Sequence, residues 1–201
     1  MKIWYYTFII ICVVFGSCKE ESTLTTEVDR ITQSSIIFED QRIEPISDKT
    51  IKQVFYLVRH AEKDTIPKDN PQLTALGDAR AVALADVFRQ TRIDEIYSTL
   101  FTRTLWTVDT LSKAKGLNIR TYDHKELKAF AENLKQNRSI KSALIVGHSN
   151  STPNLTAFLG DVDLETVPEI DHSEYNRLFM VVIHDDNTSV IKPLRFFTET
   201  I

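Results

Sequence analysis

Cysteine is nearly missing from this chain: of 201 residues only Cys12 and Cys18 carry a thiol, and both lie near the N-terminus. No zinc-type cysteine spacing exists, and nothing beyond position 18 can form a disulfide or serve as a catalytic thiol. None of the five histidines stands in a His-x-x-x-His pattern, so neither metal nor cofactor is indicated. A basic stripe is also missing. With a formal net charge of −4 and a pI near 5.8, there is no electrostatic reason to expect nucleic acid as a partner. The one long apolar run, Ile3 to Phe15 broken by Thr7, falls short of the about 20 residues that a membrane span needs. No internal repeat is found.

What is present begins with that run. Lys2, the apolar stretch and Gly16-Ser17-Cys18 have the order of a secretory signal: charged start, apolar middle, small-residue site. An uncleaved single-span anchor is the alternative. Phe15-Gly16-Ser17-Cys18 resembles a bacterial lipobox, which implies a signal peptide over 1–18, lipid on Cys18 and a membrane attachment through that lipid alone. The protein would then sit in the bacterial envelope, on the periplasmic or the cell-surface side. Lys19-Glu20-Glu21 resembles the tag that follows the lipidated cysteine of Bacteroidetes surface lipoproteins, though a solvated linker explains it equally. Residues 19–51 are rich in Ser, Thr, Glu and Asp and read as a polar tether, largely disordered. Within it Ile36-Ile37-Phe38 is able to pair locally onto the domain.

The folded domain is expected over 52–201. Val54 to Val58 is a β-branched and aromatic run of the kind buried on both faces of a sheet, and Glu95 to Tyr97 and Ala143 to Val146 are similar. Thr74 is a suitable N-cap for a helix reaching Arg89, with Leu76, Ala79, Ala83, Val87 and Gln90 near one face and Leu73, Leu84 and Phe88 adding to the apolar content. Gly77 inside that helix costs about 1 kcal/mol against alanine, which argues a close approach to neighbouring backbone. Helices are expected over 100–114, 126–137 and 153–159, and a short strand over 119–122. Leu178 to Ile183 and Val190 to Phe196, joined at Asp185-Asp186-Asn187, make a hairpin. This alternation predicts a three-layer α/β/α domain, a mostly parallel sheet with an antiparallel edge.

Chemistry concentrates at strand ends, where open α/β sheets bind ligands. Arg59-His60 follows the first strand, Gly147-His148 another, and Ser98 to Arg103 a third. Arginine forks hold phosphate oxygens bidentately, and neutral histidine is a covalent nucleophile. Two arginines and two histidines so placed have the makeup of a phosphate pocket containing a nucleophile.

Four motifs in order carry a resemblance. Leu57-Val58-Arg59-His60-Ala61-Glu62 resembles the Arg-His-Gly/Ala-Glu of the histidine phosphatase superfamily, whose fold is phosphoglycerate mutase-like. Leu73-Thr74-Ala75-Leu76-Gly77 is similar to its Leu-Thr-x-x-Gly, and Ser98 to Arg103 to its Ser-x-x-x-x-Arg, with Thr107 four residues on. Val146 to Asn150 resembles its second histidine motif. The resemblance implies His60 as the nucleophile, with Arg59, Arg103 and His148 completing the phosphate pocket. Glu62 and Lys63 are expected to line the entrance, where Lys63 could meet a second anionic group, and Ser149 and Asn150 are further candidates for substrate binding. The proton donor departs from the pattern: the glutamate of many members stands in Leu-x-Glu-x-x-Gly, whereas Tyr122 to Leu127 lacks the glycine, and Asp123 and Glu126 are both candidates. Either also suits a helix start.

The implied activity is a metal-independent phosphomonoesterase acting on a phosphorylated small molecule or an envelope glycolipid. Few residues are available for a lid that keeps water from the intermediate, which favours hydrolysis over a phosphoglycerate mutase-like phosphotransfer. A protein phosphohistidine phosphatase and a non-catalytic binder of phosphorylated ligands are alternatives. So is an α/β-hydrolase with Ser149 as nucleophile, partnered by Asp163 or Asp171 and by His172 or His184, though its elbow would have serine where glycine is needed. The acidic stretch from Gly160 to Tyr175 would disfavour highly anionic substrates if it borders the pocket.

Overall fold

The computed structural model describes residues 27–198; the signal segment, Cys18 and the Lys19-Glu20-Glu21 tag lie outside them. A six-stranded sheet runs in the order β6-β5-β7-β4-β8-β9. Its strands are β4 (Ile51–Arg59), β5 (Glu95–Ser98), β6 (Ile119–Thr121), β7 (Ser142–Gly147), β8 (Arg177–His184) and β9 (Ser189–Arg195). The pairs β5–β6, β5–β7 and β4–β7 are parallel; β8 is antiparallel to β4 and forms with β9 the expected edge hairpin.

Alternation along β4 explains why the sheet is covered on both faces. Tyr56 and Val58 meet Leu84 and Phe88 of α1 (Ala75–Val87 and its C-cap) and Val108 and Leu111 of α2 (Thr102–Lys115). Phe55 and Leu57 face the other way, onto Leu127, Ala131 and Leu134 of α3 (Leu127–Gln136) and Leu155 and Leu159 of α4 (Ser151–Gly160). A strand whose side chains leave in opposite directions needs both layers to bury them.

Two expectations are corrected. Residues 27–51 are not a disordered tether. They form an antiparallel sheet of β1 (Val28–Ile31), β2 (Ser35–Phe38) and β3 (Ile43–Pro45), and Val28, Ile31, Ile36 and Phe38 are buried in the α1/α2 core. The Thr91 hydroxyl donates to the Ile31 carbonyl at 2.7 Å, fastening this sheet beyond the end of α1. Its buried apolar residues are few, and the polar and charged residues between them lower the average hydropathy of the segment. The inward face of α1 also differs. Val87 is buried as expected, together with Gly77, Arg80, Ala81, Leu84 and Ala85, whereas Ala79 is exposed and Leu76 and Ala83 are half-buried. The reason is a buried ion pair: Arg80 Nε lies 2.9 Å from Oε2 of Glu62, and its Nη1 donates to the Phe197 carbonyl at 2.6 Å. A charge on the core side disguises the apolar stripe.

Thr74 caps α1 as expected, its hydroxyl accepting the Gly77 N–H at 3.1 Å. A Cβ at Gly77 would overlap the Glu62 carbonyl oxygen, so the glycine is there for close approach.

Candidate active site

Parallel pairing sets the site. Arg59 is in register with Gly147 and Ser98 with Val146, so β4, β7 and β5 end at one edge. The His60 N–H extends the ladder by donating to the Gly147 carbonyl at 3.0 Å, which leaves His60 and His148 beside each other with ring centroids 5.5 Å apart. His148 sits between β7 and α4. Its backbone N–H donates to the Ser151 hydroxyl at 3.0 Å, and its Nε2 is 3.0 Å from the Thr99 hydroxyl. Thr107 ties two motifs together: its hydroxyl accepts the Ala61 N–H at 2.9 Å and donates to the Arg103 carbonyl at 2.7 Å.

His60 Nδ1 lies 2.8 Å from the Ala61 carbonyl. A carbonyl only accepts, so Nδ1 carries the proton and Nε2 keeps its lone pair. Burial first, and then the fixed charges of Arg59 and Arg103, push the His60 pKa down to about 3. His148 is pushed down to about 4 by burial and then by Arg103, His124 and Arg59. Both imidazoles are therefore neutral at pH 7, and His60 presents a free nitrogen.

Arg59 is buried, with Nη1 donating to the carbonyls of Asp171, His172 and Glu174 at 2.9–3.0 Å and its guanidinium 4.0 Å over the Tyr175 ring. Arg103 stands 4.3 Å over the ring of Phe101. The buried Nε of each has no acceptor among the described residues. Burial lowers the pKa of both, and in Arg103 the charge of Arg59 adds to the effect. Two such forks, neither in a salt bridge among the described residues, can hold an oxyanion.

The structure thus brings together His60, Arg59, Arg103 and His148. It separates the rest. Glu62 is committed to Arg80, and Lys63 is exposed, its backbone bridged to Leu73. Ser149 and Asn150, at the start of α4, border a cavity of about 650 Å³ shared with Val167, Glu169, Ile170 and His172. Asp123 accepts the Lys125 N–H at 2.9 Å and points along its own loop, and Glu126 is exposed beside α3. The hydrolase alternative finds no support: His184 is buried between Ser47 and Thr188, and no histidine bonds to Ser149 among the described residues. Among the described residues no group of three or more His, Cys, Asp or Glu converges as a metal site would.

Three residues at the site escaped the sequence reading. Tyr175 is 6.0 Å from His60 by ring centroids, Phe101 is 5.2 Å from His148, and His124 is 5.7 Å from His148. Phe101 stands within the Ser-x-x-x-x-Arg stretch and was the most accessible of the three. Tyr175 precedes the hairpin with no local signal.

The class is defined by this geometry: a phosphoglycerate mutase-like α/β fold carrying an arginine–histidine oxyanion pocket. The family model of the histidine phosphatase superfamily (branch 1) matches residues 55–128, which include Arg59, His60 and Arg103 and end before His148. No curated protein sequence matches the chain. Among solved structures, the alpha-ribazole phosphatase of Shigella flexneri superposes with a TM-score of 0.60 at 14% identity, covering 74% of this chain and 100% of its own. A mycobacterial glucosyl-3-phosphoglycerate phosphatase gives 0.60 at 13% identity, with 72% and 99% coverage. The protein histidine phosphatase SixA, in complex with tungstate, gives 0.59 at 16% identity, with 71% and 97% coverage. At such identities the neighbours speak for the fold. The family match over residues 55–128 supports the histidine phosphatase superfamily.

Proposed function

We propose that this chain hydrolyses phosphomonoesters through a phosphohistidine on His60. The observation that carries the reading is the tautomer and setting of His60: a neutral imidazole with Nε2 free, beside the guanidiniums of Arg59 and Arg103, neither of which is in a salt bridge among the described residues. Nε2 attacks phosphorus, Arg59 and Arg103 hold the oxygens, and His148 hydrogen-bonds the transferring group. Water then releases phosphate from His60. The donor set of the pocket is two guanidiniums and two imidazoles, and no step of the scheme calls on a metal.

The leaving alcohol is assigned to the cavity beside Ser149 and His172. Val167 and Ile170 give it an apolar floor, Asn150 and Asn154 supply amides, and Glu165 and Glu169 are its acids. No lysine or arginine lines it, which favours an alcohol that brings no second anionic group. A phosphorylated small molecule or an envelope glycolipid meets this description. Cys18 and its lipobox-like context support an exported, lipid-anchored protein. Export to the envelope suits a hydrolase better than a glycolytic mutase.

The test is phosphate release from p-nitrophenyl phosphate by the full chain in EDTA, beside His60→Ala. Release that resists EDTA and falls at least about 10³-fold in the variant agrees with the proposal, since losing a nucleophile removes its whole pathway. Release that survives His60→Ala overturns it.

A further inference from the structure

The pocket has a nucleophile and oxyanion donors, but neither carboxylate expected as proton donor reaches it. Asp123 is 61% exposed and bonded within its own turn, and Glu126 makes no side-chain contact at the site. Between them stands His124, only 37% exposed. Its ring packs edge-on against Phe101 at 5.9 Å and against His148 at 5.7 Å, and His148 is in turn 5.5 Å from His60. Three imidazoles thus follow one another from the nucleophile outward.

The loop holding His124 is anchored. The Tyr122 N–H donates to the Ser98 carbonyl at 3.1 Å, and its hydroxyl donates to the Val146 carbonyl at 3.1 Å. The same ring stacks on Phe130 at 4.5 Å. Gly147 makes room for that hydroxyl, since a Cβ there would lie 2.9 Å from it. His124 is two residues beyond this anchor, its Nδ1 3.9 Å from the Asp123 carboxylate.

We infer that His124 is the general acid of the proposed phosphatase, protonating the leaving alcohol that Asp123 and Glu126 cannot reach. The inference rests on the phosphohistidine reading given above. As the His60 Nε2 lone pair forms the P–N bond, the electron pair of the breaking P–O bond goes to the alcohol oxygen, which takes the proton of the His124 imidazolium. Neutral His124 then accepts a proton from the water that attacks phosphorus. The P–N electron pair returns to His60, and phosphate leaves with both histidines restored.

Leaving-group dependence tests this, because nitrophenolate needs no proton to depart and an alkoxide does. The full chain, His124→Gln and Asp123→Asn are each assayed on p-nitrophenyl phosphate and on β-glycerophosphate. His124→Gln is expected to keep kcat/KM on p-nitrophenyl phosphate within a few fold. It is expected to lose on the order of 10²-fold or more on β-glycerophosphate, the usual worth of a general acid. Equal loss on both substrates makes His124 a positioning residue and overturns the assignment, as does no loss on either. A larger selective loss in Asp123→Asn returns the role to Asp123. A wild-type chain inactive on both substrates refutes the phosphatase reading itself, a different outcome from any of these.

Discussion

His60 shows how one side chain is prepared for its task at a cost to the fold. The bond from Nδ1 to the Ala61 carbonyl chooses the tautomer, and burial among cations keeps the ring neutral. The same arrangement makes stability depend on pH. A histidine whose folded pKa is lowered to about 3 stays neutral in the fold, while the unfolded chain takes up a proton below about 6.5. The unfolded state therefore binds more protons between those values, and stability is lost as pH falls through that window. His60→Gln cannot be protonated and lacks this contribution. Urea titrations at pH 7, 5.5 and 4.5 are expected to show the variant gaining steadily on the wild type as pH falls. A difference that stays constant with pH would contradict the assigned setting of His60. His148 works in the same direction and remains in both proteins.

At the scale of elements, the segment read as a tether is the one whose importance the sequence hid. Ile36 of β2 is fully buried in the α1/α2 core, so Ile36→Ala is expected to cost about 2–5 kcal/mol, read as a lower urea midpoint. A midpoint unchanged by Ile36→Ala would mean that this sheet adds nothing to the fold. Legibility followed local chemistry. The β4 run, the Thr74 cap, the close approach at Gly77 and the paired motifs after β4, β5 and β7 could all be read because each depends on neighbours in sequence. The small sheet was obscured because its strands are three or four residues long, too short for alternation to stand out from a polar background. The inward face of α1 was obscured because Arg80 and Glu62 neutralise each other only in the folded chain. Tyr175 and His124 reach the site through tertiary packing alone, Tyr175 under Arg59 and His124 against Phe101.

The whole molecule carries a formal charge of −4, yet concentrates Arg59 and Arg103 where three parallel strands end. An acidic protein with a local cationic pocket draws phosphate by that pocket rather than by its overall field. The sheet fixes the pocket's geometry: β4 and β7 deliver the histidines, the β5–α2 connection delivers Arg103, and the loop before β8 is fastened to Arg59 through three carbonyls. The covalent intermediate is the point on which these parts converge. The most direct measurement mixes the full chain with p-nitrophenyl phosphate, quenches in alkali and locates the phosphoryl group by peptide mass spectrometry. The account predicts one acid-labile phosphoryl group on the peptide containing His60, absent from His60→Asn. A phosphoryl group on any other residue, or wild-type turnover by His60→Asn, would contradict it.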